Sequence, residues 1–253
     1  MTLTFALGLL FSALIGFSLG LIGGGGSIIT LPVLVYLFHI DPHAAMGMSL
    51  AVVGSTSLFG AVLHYRKDNV RVREALLFGA AGILGAYYGS RLTYLLSGPM
   101  LLLLFAALML VVAVRMLTGA SAAAQLHTQE LRYSRLLPAG LAVGVLTGFI
   151  GVGGGFLIVP ALVLFAGIGM KEAVGTSLLV IAINSAAGLV GHMQRSAFDF
   201  RLTGMITGLA LAGALAGSHY AHIARPETLR RVFSVFVLAV AVFLIVRNLP
   251  LVW

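Results

Sequence analysis

Two glycine runs carry the clearest chemical potential in this chain. The first is GLIGGGGSIITLP, from Gly20 to Pro32, and the second is GFIGVGGGFLIVP, from Gly148 to Pro160. A glycine run inside apolar sequence ends one helical segment and begins another. The new segment presents unsatisfied backbone N–H groups and the positive end of its dipole. Glycine leaves those groups unobstructed, so an oxyanion can approach closely. The candidate substrate-binding backbone is Gly23, Gly24, Gly25 and Gly26 in the first run, and Gly151, Gly153, Gly154 and Gly155 in the second. Ser27 adds a hydroxyl at the start of the first new segment. The same glycines also suit a tight turn with close helix packing, and both uses can hold together.

Four further polar residues fall within apolar stretches and are candidate lining residues: Ser49, Thr56, Ser177 and Asn184. Serines at such positions commonly bond their own helix backbone. An asparagine amide at membrane depth must find a partner, either another helix or a substrate. His64 and His192 can relay a proton or bind an anion when charged. Both stand at span ends beside basic loops, so interfacial placement is expected and no relay is assigned to them. No P-loop, HExxH or GxSxG motif is present, and no paired carboxylates lie within apolar spans. The second glycine run lacks the strand and βαβ setting of a dinucleotide fingerprint. No cysteine is present, which excludes disulfides and thiolate metal sites. No cofactor, metal or catalytic residue is expected.

The two runs lie 128 residues apart (160 minus 32), and the same offset keeps matching residues beyond them. Gly47 and Ser49 match Gly175 and Ser177, and Ser57 matches Ser185. Gly60 matches Gly188, His64 matches His192, Arg73 matches Arg201, and Gly85 matches Gly213. Gly89-Ser90 matches Gly217-Ser218, and Thr56 stands opposite Asn184. No gap is needed from Gly16/Gly144 to Ser90/Ser218, so the chain contains an internal duplication.

Of 253 residues, 60% are hydrophobic and 9% charged, with a mean hydropathy of +1.10. A soluble domain has about 25% charged residues. A chain this apolar belongs in a bilayer, and several runs reach the roughly 20 residues that span one. The net charge of +8 comes without a basic stripe interleaved with aromatics, so no nucleic-acid partner is expected. In a membrane protein such an excess marks cytoplasmic loops, or biases a pore toward anions. The N-terminus lacks the basic region of a signal peptide, so the first apolar run reads as mature protein.

The duplication divides the chain into a first transmembrane repeat (1–118), a polar linker (119–135) and a second transmembrane repeat (136–253). Each repeat carries five apolar segments. A straight helix from Leu3 to Phe38 would be about 54 Å long against a core of about 30 Å, so the chain must break at the glycines. The expected fold is an all-α polytopic membrane protein of two five-segment inverted repeats, each starting with a glycine-broken helical hairpin. With five segments per repeat, the fifteen lysines and arginines divide 11 to 4 between the two faces, against 10 to 5 if each hairpin is one broken crossing. The first arrangement agrees better with the positive-inside rule and puts both termini outside.

With its paired motifs, its GMSL and GTSL segments (Gly47 to Leu50, Gly175 to Leu178) and the charged loops after them, the chain resembles the sulfite exporter TauE/SafE family. The likeness covers nearly the whole chain. Where the first motif has Gly24 and Ser27, the second has Val152 and Gly155, so the two halves are expected to contribute unequally. The resemblance implies a multi-pass inner-membrane transporter of sulfur-containing anions, such as sulfite or sulfonates, with export as the direction; the charge division makes both termini periplasmic.

Glycine-broken segments at matching positions of inverted repeats indicate a secondary transporter with its site near the midplane. The expected activity is therefore movement of a small anion, a sulfur oxyanion or organosulfonate, by alternating access. An anion channel built on the same helix ends, or a transporter of a small carboxylate, are the alternatives. A membrane enzyme is disfavoured because no catalytic cluster lies at depth. The implied partners are the lipid bilayer, a small anionic substrate and, since no sodium-site carboxylate stands out, protons or no coupling ion. The oligomeric state stays open.

Overall fold

The computed structural model describes residues 2–92, 95–118, 133–150, 155–193, 199–223 and 226–251. All regular structure among them is helical. In chain order the helices are α1 (Thr2–Ile22), α2 (Gly25–Pro32), α3 (Pro42–Tyr65), α4 (Val72–Leu92) and α5 (Gly98–Thr118). They are followed by α6 (Tyr133–Ile150), α7 (Gly155–Ala166), α8 (Met170–Met193), α9 (Phe200–Ile223) and α10 (Pro226–Asn248). Three helices are long and apolar enough to cross a membrane: Pro42–Tyr65, Met170–His192 and Phe200–Ala221. Leu7–Ile22, Gly26–Leu37, Gly98–Val111, Leu136–Phe149 and Ser234–Asn248 are shorter apolar helices. Most of the expected linker, residues 119–132, lies outside the described residues.

The glycine break falls between α1 and α2. Gly23 takes φ +74, a left-handed backbone that a side chain strains, and its N–H still donates to Leu19 O at 2.8 Å. α2 then runs to Pro32, whose missing N–H loosens the ladder. A single π turn, Val33–Leu37, absorbs the defect. The two second arms end alike. His39 (φ 55) and Gly167 (φ 66) hold matching left-handed positions. The next N–H then reaches back to close the end, Ile40 to Leu34 O at 3.1 Å and Ile168 to Leu162 O at 3.3 Å. Asp41 caps α3, its Oδ1 accepting from His43 N–H at 2.9 Å, with Pro42 in the first turn.

Packing follows the 128-residue offset. α1 packs on α9, and α6 packs on α4, so each first arm lies against the fourth segment of the other half. A Cβ on Gly85 would overlap Leu141 O and meet Val145 N at 2.6 Å. One on Gly213 would meet Ala13 O and Phe17 N, which are the matched atoms. Gly144 and Gly148 of α6 press on the backbone of Gly82 and Ala86, as Gly16 and Gly20 of α1 press on Ala210 and Ala214. These contacts are backbone on backbone, which is why only glycine serves at the crossings.

At the centre, α3 packs on its own match, α8. Gly47 lies against His192 and Gly175 against His64, while Gly60 meets Leu178 and Gly188 meets Leu50. Low numbers on α3 pair with high numbers on α8, so these matched helices run antiparallel. α5 likewise packs on its match, α10. Beneath these helices the apolar core joins both halves through Leu19, Ile28, Met48, Val52, Phe105, Ile158 and Ile181, all essentially fully buried.

Candidate functional site

The two hairpins meet. A Cβ on Gly155, the first residue of α7, would lie 2.9 Å from Gly24 Cα, 3.1 Å from Ser27 Oγ and 2.6 Å from Ile181 Cδ1. The starts of α2 and α7 therefore abut, with α8 alongside, and Gly24, Ser27 and Gly155 are all buried. Gly24 occupies the cap position of α2 and brings no side chain to the first-turn N–H groups of Gly25, Gly26 and Ser27. Two positive helix ends side by side, that of α2 without a side-chain cap, form an anion-attracting centre. Gly151, Gly153 and Gly154 lie outside the described residues.

Not every glycine of the first run is reserved for a ligand. A Cβ on Gly26 would overlap Ile15 O and meet Leu19 Cγ at 2.5 Å, so Gly26 exists to let α2 fold back on α1. Gly23 is needed for its φ and because a Cβ there would lie 2.8 Å from Val174 Cα. Gly24 and Gly155 are the pair whose smallness joins the two hairpins.

The polar side chains divide into two kinds. Ser27 Oγ donates to Gly24 O at 2.7 Å, and Ser177 Oγ faces both Gly23 O at 2.9 Å and Val174 O at 2.7 Å. These two are tied into the hairpin, and Ser177 also bonds its own helix backbone as serines commonly do. Ser49, Thr56 and Asn184 are fully buried, and their hydroxyls and both amide atoms of Asn184 meet no hydrogen-bonding protein group. Interhelical bonding, one of the two expected roles for Asn184, is therefore not what its amide does. The amide fills the gap opposite Gly82 of α4, where a Cβ would overlap it. Ser177, Ile181 and Asn184 fall on one face of α8 at helical spacing, so Asn184 stands one turn beyond the hairpin contact. On α3 the matched positions are Ser49, Val53 and Thr56.

Reading the sequence did not select Ser57, Ser185 or Thr147, whose hydroxyls are also buried and unpartnered. Ser57 and Ser185 were visible as a matched pair. Thr147 was not, because the first repeat has Leu19 at its position. The histidines expected at span ends lie in the last turns of α3 and α8. His64 and His192 are buried, and their Nε2–H groups donate to Gly20 O at 3.0 Å and Gly148 O at 3.2 Å. Gly175 and Gly47 make room for these rings, which turn inward to the last turn of each first arm.

Across this centre no lysine or arginine is buried among the described residues, and Glu74 is the one buried carboxylate. No group of three metal-ligating side chains occurs among the described residues. The arrangement offers neutral donors and helix ends to an anion.

The family profile described as "Sulfite exporter TauE/SafE" matches residues 8–244. A "Probable membrane transporter protein" of Xylella fastidiosa (strain 9a5c) is 37% identical over 93% of this chain and 92% of its own length. "Probable membrane transporter protein YdhB" of Bacillus subtilis is 31% identical over 83% of this chain and 87% of its own. A similarly named protein of Methanocaldococcus jannaschii is 26% identical over 71% of this chain and 70% of its own. No solved structure matches. With a helical bundle of apolar spans and a family match over nearly its whole length, the chain belongs to the sulfite exporter TauE/SafE family of membrane transporters.

Proposed function

We propose that the protein moves a small sulfur oxyanion or organosulfonate across the inner membrane by alternating access, with the anion held at the first-turn N–H groups beside the joined starts of α2 and α7. The buried abutment of Gly24 on Gly155, with no side chain capping α2, is the observation that carries this reading. First-turn N–H groups of both hairpins, with the open hydroxyls of Ser49 and Thr56, serve as donors to the anion's oxygens, while Ser27 shapes the α2 start through its bond to Gly24 O. Gly151, Gly153 and Gly154 belong to the same proposed site by their place in the second run.

Two repeats, 1–118 and 136–253, are the moving units in this proposal. The antiparallel pairing of the matched helices α3 and α8 supports an inverted relation between them, since a two-fold axis along the helices would leave matched helices parallel. Alternating access then exchanges which half leans open around a fixed site. The division of positive charge supports periplasmic termini.

Ligand-dependent thermal stabilisation of the purified protein tests the reading, because a ligand that binds only the folded state raises its apparent stability. Sulfite, thiosulfate and taurine are compared with acetate and other carboxylates. A stabilisation by sulfur anions that is weakened in folded Gly155→Ala and Ser27→Ala supports the paired-hairpin site. Equal stabilisation by the carboxylates overturns the sulfur assignment, and silence across the panel overturns the site.

A further inference from the structure

We infer that Asn184 selects a singly charged oxyanion that carries its own proton, and that this proton crosses the membrane on the substrate. The inference rests on the reading that the paired helix starts hold the anion, and adds which charge state they accept.

The first argument is charge balance. Each helix start is worth roughly half a positive elementary charge, so α2 and α7 together supply about one. No buried lysine or arginine adds to this among the described residues, and α3 and α8 carry no Lys, Arg, Asp or Glu between Ala44 and Tyr65 or between Ala173 and Met193. A monoanion is matched. A dianion brings a second charge into a dry site with nothing opposite it, where desolvation is a severe penalty.

The second argument is the donor and acceptor inventory. A bare oxyanion wants donors alone, which backbone N–H groups and hydroxyls provide. Asn184 is 0% exposed and presents an NH2 donor and a carbonyl acceptor, neither of them partnered. Exchanging the two atoms changes nothing, because both lack a partner. A buried amide in that state is uncommon and unfavourable. A ligand with both an anionic oxygen and an acid O–H satisfies both atoms together.

The third is asymmetry. Thr147 lies between Gly144, which packs on Gly82 beside the amide, and Gly148, which approaches Gly188 of α8. Thr147 is buried with its hydroxyl unpartnered, so the α4–α6–α8 junction holds two open polar side chains. The matched residues in the first repeat are Thr56 and Leu19, and no amide stands there. One side of the path therefore reads the proton.

Titratable groups on the surrounding helices are His43, His64 and Tyr65 on α3, and Arg73, Glu74, Tyr87, Tyr88 and Arg91 on α4. Tyr133 and Arg135 stand at the start of α6, and Lys171, Glu172 and His192 are on α8. A protein group that titrates affects every anion. A proton on the substrate affects only an anion that can bear one.

The test measures binding of sulfite, sulfate and methanesulfonate by the whole protein across neutral to alkaline pH. Sulfite loses its last proton in that range, sulfate is a dianion throughout, and methanesulfonate is a monoanion without a proton. The expected result is that affinity for total sulfite falls about tenfold per pH unit once the monoanion is the minor form. Methanesulfonate binds more weakly with no such slope, and sulfate does not bind. Asn184→Leu removes the preference for sulfite over methanesulfonate. Asn184→Thr, the residue of the first repeat, keeps a smaller preference if the leucine variant fails to fold. Equal binding of sulfate, a flat response to total sulfite, or parallel slopes for sulfite and methanesulfonate overturns the inference while leaving the anion site standing. Absence of binding by all three overturns both.

Discussion

Ser177 of the second half donates its hydroxyl toward the carbonyl of Gly23 in the first, at 2.9 Å. The bond joins α8 to the one left-handed residue in the α1–α2 turn, and its oxygen lies under the position where a Gly23 side chain would be. Ser177 thus holds the hairpin that presents the α2 N–H groups. Its hydroxyl is shared with Val174 O, so the loss is that of a shared bond.

Ser177→Ala is therefore expected to lower unfolding stability by about 1 kcal/mol, since the Gly23 carbonyl loses its side-chain donor. Transport falls with it, because the turn loosens. Thermal unfolding in detergent, read beside vesicle uptake, checks this. Unchanged stability with lost uptake would instead make Ser177 a direct substrate contact.

Thr56 behaves in the opposite sense. Its hydroxyl is buried with no protein partner, so Thr56→Val keeps the shape and removes an unsatisfied group. Stability is expected to stay level or rise by up to about 1 kcal/mol, while anion uptake falls. Ser49→Ala is expected to do the same. A loss of stability in both variants would sink the claim that these hydroxyls wait for a ligand.

The sequence made the duplication legible because glycine, serine and histidine repeat where packing tolerates nothing else. Gly85 and Gly213 show why: each receives a neighbouring backbone, and an alanine would collide. The offset did not reveal which half packs on which, since α1 meeting α9 is a tertiary choice with no local signal. Ser177 and Ser49 looked equivalent, yet only Ser177 has a carbonyl within reach. Thr147 stayed hidden because its counterpart is a leucine. The inward turn of His64 and His192 was masked by the basic loops that follow them.

His39 carries φ 55 at the end of the first hairpin, where the second hairpin has Gly167 at φ 66. A non-glycine residue in the left-handed region costs roughly 1 kcal/mol or more. His39→Gly is expected to raise stability by about 0.5–1 kcal/mol, the relief being partly offset by the greater freedom of glycine in the unfolded chain. Unfolding midpoints of the two proteins decide it. A lower midpoint for the glycine variant would mean that the imidazole makes contacts worth more than the backbone strain.

Arg71 and Glu172 form the last test. The guanidinium Nε–H donates to Glu172 Oε2 at 2.9 Å and an NH2 group to Oε1 at 3.2 Å, while Arg71 N–H donates to Thr176 Oγ1 at 2.9 Å. The loop after α3 is thereby clasped to the first turns of α8. The matched positions in the other half are Asp199 and Ala44, so the offset gives this clasp no counterpart. Both side chains are about one third or more exposed, at 42% and 34%, so solvent screens the pair. A double-mutant cycle with Arg71→Ala and Glu172→Ala is expected to give a coupling of about 0.2–1 kcal/mol that shrinks with added salt. In the proposed alternating-access cycle a clasp on one face favours the state closed on that face, so breaking it should change uptake far more than it changes stability. Equal small effects on both would reduce the pair to a surface contact.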